Sequence, residues 1–209
     1  MPYIPPANRP DIDARVEVVA EEIATTMIEK HQTAELSVHY RRVFTEMADF
    51  IVALERDPAS PAVTTAQQLA ATVFEKAKAY KQIGAWAGEL NYALTMLIQL
   101  VPYKMFKKKA WEAALRYWIH VQTVGALTRT AYDLHARGAN DYVGNALPAV
   151  FEDVKDELKR RVNSAYEAAQ INASGDCYHY VPFRTQLTPF ETAGTKGFIE
   201  IMLPFKAPE

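Results

Sequence analysis

The amino-acid sequence predicts a mainly α protein, a helical bundle of about six helices with an extended or β-hairpin C-terminal tail. Apolar residues recur three and four positions apart through most of residues 11–172, which is the period of an amphipathic helix. Prolines and glycines stand between these periodic stretches, where they end helices. After Gly175 the composition changes to prolines with β-favouring residues between them, a pattern typical of strands.

Length and composition narrow the class of protein. The 209 residues suit one domain, or one domain with an appendage, and 49% of them are hydrophobic, enough for a real core. A formal net charge of −2 disfavours a dedicated nucleic-acid binder. The single Cys177 leaves no disulfide framework. No signal-like start and no apolar run of about 18 residues is found, so we expect a cytoplasmic protein without a membrane span.

The first ten residues predict an extended arm. Four of them are prolines, which fix φ and remove backbone donors. Tyr3 and Ile4 give the arm an apolar handle. Two interpretations stay open: a frayed end, or an arm that docks on the body or on a neighbouring subunit.

Three helices are expected before the centre of the chain. The first covers about 11–30 and the second about 34–56, and their short connection predicts an antiparallel hairpin. The third begins at Thr64 or Thr65 and ends at Gly84.

The stretch Gly88-Glu89-Leu90-Asn91-Tyr92 opens a broad apolar helical run that Pro102 should stop. The lysines between 104 and 109 follow as a basic turn, which is either a solvated loop or an anion contact. A long helix over 111–137 comes next, and Gly125 within it predicts a close helix contact. After a loop at 138–146, Pro148 suits the first turn of a last helix reaching about residue 172.

Three separated motifs carry a resemblance. The start Met1-Pro2-Tyr3-Ile4, the central Gly88–Tyr92 stretch, and Arg160-Arg161 followed by Tyr166-Glu167 and Gly175-Asp176-Cys177-Tyr178 are together similar to a small uncharacterised family found in bacteriophages and environmental microbes. The resemblance implies a small helical fold and a phage context, and it implies no activity. Cys177 stands where the family has valine.

The resemblance also suggests how the chain is divided. It covers residues 86–178 and the first few residues. The predicted segments are therefore an extended proline-rich arm at 1–10, an inserted helical hairpin plus one helix at 11–83, a family-like helical core at 84–178 and an extended or β tail at 179–209.

Polar residues of these motifs are the candidates for a ligand-binding site. Acids and amides at a helix start also serve as caps, which is the structural interpretation. The functional one is a polar pocket in which an acid acts as general base or cation ligand and an arginine binds an anion. The candidates are Glu89, Asn91, Tyr92, Arg161, Tyr166 and Asp176.

Signatures of known chemistry are missing from the sequence. The five histidines show no metal-ligand spacing, and neither a P-loop, a dinucleotide-binding glycine pattern nor a GxSxG nucleophile motif occurs. We therefore predict no metal, no cofactor and no catalytic residue.

Two hypotheses of function follow. The first is a non-enzymatic, phage-type accessory or structural protein that self-associates or binds a protein partner, in the cytoplasm or, if phage-encoded, in the virion. Its docking residues would be Tyr3, Ile4, Phe198, Ile199, Ile201 and Leu203. The alternative is a small-molecule or nucleotide-binding protein, hydrolase-like if it is an enzyme, with a pocket around Glu89, Asn91, Arg161 and Asp176. A nucleic-acid role through the 104–109 lysines ranks third.

Overall fold

A computed structural model describes residues 4–29, 35–82, 84–107, 115–137, 142–164 and 168. Within these residues the chain is helical and has no strand, which confirms the predicted mainly α bundle of six helices. The predicted tail at 179–209 lies outside the described residues. The helices are α1 Arg9–Glu29, α2 Leu36–Arg56, α3 Thr65–Ala77, α4 Trp86–Lys107, α5 Leu115–Ala136 and α6 Tyr142–Leu158.

Three short helical turns are also described. Two are 3-10 turns, at Pro6–Asn8 before α1 and at Lys78–Tyr80 after α3. The third is a π-helical turn, Lys159–Asn163, directly after α6. By its internal contacts the chain forms two compact units, Met1–Lys155 and Asp156–Glu209.

Local chemistry explains where α3 begins. The Thr64 side chain accepts a hydrogen bond from the Gln67 backbone N–H at 3.2 Å, and the Gln67 side chain accepts one from the Thr64 N–H at 3.3 Å. This reciprocal capping box satisfies two donors that a helix start leaves free. The predicted start at Thr64 or Thr65 is therefore confirmed.

Two helices continue through prolines that the sequence predicted as a helix end or a helix start. Pro102 lies inside α4, and α6 begins six residues before Pro148. An interior proline costs about 3 kcal/mol because it removes one hydrogen bond and crowds the preceding turn. Val101 and Met105 next to Pro102 are fully buried, and burying each such side chain contributes about 1.5–3 kcal/mol. Tertiary packing therefore outweighs the local helix-breaking preference.

The prediction that α1 and α2 form an antiparallel hairpin is wrong. Few residues of α1 contact α2; α1 packs mainly on α4 and α3, and α2 packs mainly on α5 and α3. The direction of packing follows from the hydrogen bonds. Tyr92 of α4 contacts Asp13, and Lys104 further along α4 contacts Glu21, so α1 and α4 run parallel. Apolar spacing shows that a helix has a buried face without showing which helix covers it.

Aromatic side chains build the centre of the first unit. The rings of Tyr40 and Phe44 stack at 5.3 Å between centroids, and Phe151 of α6 meets Phe44 at 5.6 Å. Trp86 is also buried, and its indole N–H donates to Glu55 Oε1 at 2.5 Å. This bond ties the start of α4 to the end of α2.

None of the helices in the described ranges is both long and apolar enough to cross a membrane.

The prediction that another helix packs closely on Gly125 is also wrong for the described residues. A Cβ built on this residue meets no described atom within 4 Å outside its own helix. Glycine in a helix interior carries more conformational freedom in the unfolded chain than alanine does. Among the described residues, none packs closely enough on Gly125 to offset that cost.

We predict that Gly125→Ala raises the free energy of unfolding by about 0.5–1 kcal/mol, because alanine favours the helix and its methyl group has room. Urea unfolding followed by circular dichroism measures the change. The matched control is Ala14→Gly on the exposed side of α1, which should lower stability by a similar amount. A destabilised Gly125→Ala protein would mean that a neighbour does touch this position.

Candidate functional site

The central motif lies in the first two turns of α4, and the N-terminal segment covers it. We call residues 4–8 the strap, and we call the surface that receives it the socket. The strap ends where α1 begins. The socket consists of Tyr80, Gly88, Glu89 and Tyr92.

Gly88 provides the room for the apolar end of the strap. Ile4 is 4% exposed, so its side chain is fully packed although it lies near the chain end. A Cβ built on Gly88 would stand 3.9 Å from Ile4 Cγ2, which is ordinary van der Waals contact. A methyl group therefore fits at position 88, whereas a longer side chain would occupy the space of Ile4.

Glu89 binds the polar end of the strap. Its side chain is among the few buried charged groups described, with 1% of the residue exposed. The Tyr80 hydroxyl donates to Glu89 Oε1 at 2.7 Å, and the Asn8 side-chain amide donates to the same oxygen at 3.1 Å. A buried carboxylate is costly unless it is hydrogen-bonded, and these two donors together with the positive end of the α4 dipole supply that compensation.

Tyr92 closes the other side of the socket. Its hydroxyl donates to Asp13 Oδ1 at 2.9 Å, and the Arg9 guanidinium lies 5.8 Å from its ring centroid. Arg9 Nη2 also donates to the backbone carbonyl of Ile4 at 3.3 Å. Arg9 thus links Tyr92 to the strap, and Asp13 fixes Tyr92 to α1.

The two tyrosines are held in their neutral form. Burial and then the hydrogen bond and charge of Glu89 raise the pKa of Tyr80 to about 12. Burial and then Asp13 raise the pKa of Tyr92 to about 12 in the same way. Both hydroxyls therefore remain donors across the neutral pH range.

A chain reversal explains why Tyr80 reaches Glu89. After the Lys78–Tyr80 turn, the backbone adopts positive φ at Lys81 (53°) and at Gly84 (72°). The left-handed conformation suits glycine at position 84. The chain then enters α4 at Trp86, and Glu89, nine residues after Tyr80, lies in the first turns of that helix.

The other predicted site residues have separate surroundings. Asn91 Oδ1 accepts a hydrogen bond from Thr95 Oγ1 at 3.3 Å, one turn along α4. Arg161 belongs to the second unit, where its guanidinium binds Glu157. Although partial burial opposes ionisation, bonds from Arg160 and Arg161 lower the pKa of Glu157 to about 2. The remaining candidates lie outside the described residues: Tyr3, Tyr166, Asp176, Phe198, Ile199, Ile201 and Leu203.

The predicted basic turn is partly helical. Lys104 lies in the last turns of α4, and its ammonium group binds Glu17 and Glu21 of α1. Its side chain is 13% exposed. This lysine holds α4 to α1, so it offers little to a nucleic-acid phosphate.

An open cleft of about 730 Å³ between α1 and α3 is a second concave feature. Its lining includes alanines such as Ala14 and Ala71. At its rim Asp11 pairs with Lys76, and Arg15 Nη1 donates to the Gln68 side-chain oxygen at 3.1 Å. Its charged rim is therefore largely neutralised within the chain. Within the described ranges, no group of three or more His, Cys, Asp or Glu residues is placed to hold a metal ion.

Sequence reasoning singled out Glu89 and Tyr92 but missed their partners. Asn8, Arg9 and Asp13 lie about eighty residues away, and no local spacing links them to α4. Tyr80 fits the apolar period of the third helix, so its hydroxyl was not expected to reach a carboxylate. The sequence offered one signal for these partners, the amide side chain of Asn8 next to the proline-rich segment.

Comparison with known proteins places the chain in a family. A family model described as a domain of unknown function, DUF6899, matches residues 1–177, so the chain belongs to that family. The matched range includes the strap, the socket and the predicted insertion at 11–83. No curated protein and no solved structure matches the chain.

We predict that Glu89→Gln lowers the free energy of unfolding by about 1 kcal/mol and Glu89→Ala by about 3 kcal/mol. Glutamine keeps an acceptor oxygen but loses the charge, whereas alanine leaves Tyr80 and Asn8 without their shared partner. Chemical denaturation checks both values, and Asp153→Asn on the exposed side of α6 is the matched control. A Glu89→Gln protein more stable than the original would instead indicate a strained, functional carboxylate.

Proposed function

We propose that this member of the DUF6899 family is a non-enzymatic protein that self-associates or binds a protein partner, as an accessory or structural component of phage type. The observation that supports this proposal most is the role of the Gly88–Tyr92 motif: its polar groups hold the chain's own N-terminal segment. The proposal places the protein in the cytoplasm or, if it is phage-encoded, in the virion.

The geometry of Glu89 argues against a catalytic role. A general base must reach its proton directly or through one water. Glu89 is 1% exposed, and one of its oxygens already accepts two hydrogen bonds. The strap supplies one of those donors, so a substrate would have to displace part of the fold before it met this carboxylate.

The other motif residues support the same interpretation. The Asn91 side chain is engaged within α4, and Tyr92 is bonded to Asp13. Arg161 has its own carboxylate partner in Glu157. These contacts satisfy the groups that a polar pocket would need to keep available for a ligand.

Exposed apolar side chains give the first unit surfaces suited to association. Val38 on α2 is 58% exposed, and Tyr132 on α5 is 72% exposed. Aromatic side chains such as Tyr132 are enriched in protein interfaces and among the residues that contribute most to binding. The apolar run predicted near the C-terminus, at residues 198–203, is the second candidate surface.

We predict that the 209-residue protein is an oligomer and that a chain ending at Tyr178 is a monomer. The truncation removes an apolar run, residues 198–203, that we expect to be buried against another chain. Light scattering coupled to size exclusion measures both masses. Ile199→Asp with Ile201→Asp should act like the truncation, and Thr192→Asp with Thr195→Asp is the matched control. Monomers in all forms, with no partner retained, would contradict the proposal and direct attention to ligand screening.

A further inference from the structure

One side of α5 combines exposed apolar side chains with an open notch. We call Val121, Gly125, Thr128 and Tyr132 the α5 stripe. Their spacings of four, three and four residues place them on one side of the helix, as in the seam of a coiled coil. Val121 is 41% exposed and Tyr132 is 72% exposed. The stripe is therefore an outer surface of α5 with an apolar side chain at each end.

Gly125 is the member of the stripe that its own helix does not explain. A Cβ at this position would meet no described atom within 4 Å outside the helix, and glycine in a helix interior costs about 1 kcal/mol relative to alanine. Packing within the described part of the chain gives no reason for that cost. The missing side chain leaves a notch between Val121 and Tyr132, which a large side chain from outside can fill.

Tyr132 is the matching projection on the same stripe. It follows Gly125 by two helical turns, about 10.5 Å along the helix axis. A tyrosine ring buries a large apolar area, and its hydroxyl can stay in water at the edge of a contact. The stripe therefore carries both a notch and a side chain large enough to fill it.

A second copy of the chain supplies that side chain when the two α5 helices run antiparallel. A two-fold axis beside Thr128 then places Tyr132 of each copy over Gly125 of the other, so that one surface serves both chains. A parallel pair would instead set the two Gly125 residues opposite each other and leave the notch empty. The arrangement of notch and projection therefore favours an antiparallel pair.

This contact is too small to hold two chains by itself. Stable interfaces bury at least about 1,200 Å² in total, more than one helix stripe per chain provides. Arg129 is exposed beside the stripe, and its two copies would approach each other near the two-fold axis, where like charges repel. The contact therefore belongs inside an oligomer that another surface holds together, the part proposed above for residues 198–203.

We propose that the α5 stripe is a contact between two copies of this chain, in which Tyr132 of each copy fills the notch over Gly125 of the other. The inference rests on the proposed function, because it assigns a surface to the self-association. It gives Gly125 a role between chains, whereas no described residue of its own chain packs closely on it.

Disulfide cross-linking of the 209-residue protein tests this contact. Thr128 lies beside the two-fold axis, so Thr128→Cys places two thiols close together, and Cys177→Ser removes the native thiol. Under mild oxidation this variant should form a linked dimer at least about tenfold faster than the control, because the oligomer holds the two thiols at a high effective concentration. The matched control is Asp153→Cys in the same background, on the exposed side of α6.

Two further changes test the fit of Tyr132 on Gly125. Gly125→Leu fills the notch, and Tyr132→Ala removes the side chain that enters it. Each should lower the cross-linking rate of Thr128→Cys to that of the control. Leucine is a better helix former than glycine and its Cβ has room, so Gly125→Leu should leave the chain at least as stable, which urea unfolding verifies.

A Thr128→Cys rate equal to that of the control would overturn the inference, as would a rate that neither Gly125→Leu nor Tyr132→Ala lowers. Light scattering on the same samples separates this inference from the proposed function. An oligomer that forms no cross-link contradicts the α5 contact alone, whereas a monomer contradicts both the contact and the self-association.

Discussion

The buried carboxylate of Glu89 is the constraint on which the N-terminal half of the fold depends. A carboxylate at 1% exposure must be hydrogen-bonded, and its donors come from Tyr80 and Asn8, two parts of the chain far apart in sequence. Meeting that requirement fixes the turn after α3, the start of α4 and the segment before α1 at one place. The remaining contacts of the strap, those of Ile4 and Arg9, lie around this point.

This arrangement gives the Gly88–Tyr92 stretch a structural meaning. Gly88 provides the notch, Glu89 the acceptor and Tyr92 the hydroxyl that fixes α4 to α1. The glycine, the acid and the tyrosine therefore each contribute to packing α4 against the strap or against α1. The described contacts of all three residues lie within the chain.

The sequence predicted the helices well, because apolar spacing and capping residues act locally; the capping box at Thr64 is an example. It could not predict how the helices pair, since the face of α1 that meets α4 has the same spacing as one that would meet α2. Pro102 predicted a helix end that does not occur, because a proline inside a helix costs less free energy than the burial of Val101 and Met105 contributes. Three of the four socket residues, Gly88, Glu89 and Tyr92, belong to the motif that the sequence singled out, whereas Tyr80 and the strap residue Asn8 meet them only through tertiary structure.

The most direct test of the account is a double-mutant cycle between Asn8 and Glu89, made with Asn8→Ala, Glu89→Ala and the double variant, and read as free energies of unfolding. A hydrogen bond to a buried carboxylate predicts a coupling of about 1–2 kcal/mol between the two positions. Additive effects, within about 0.3 kcal/mol, would show that the strap does not depend on Glu89 and would contradict the account.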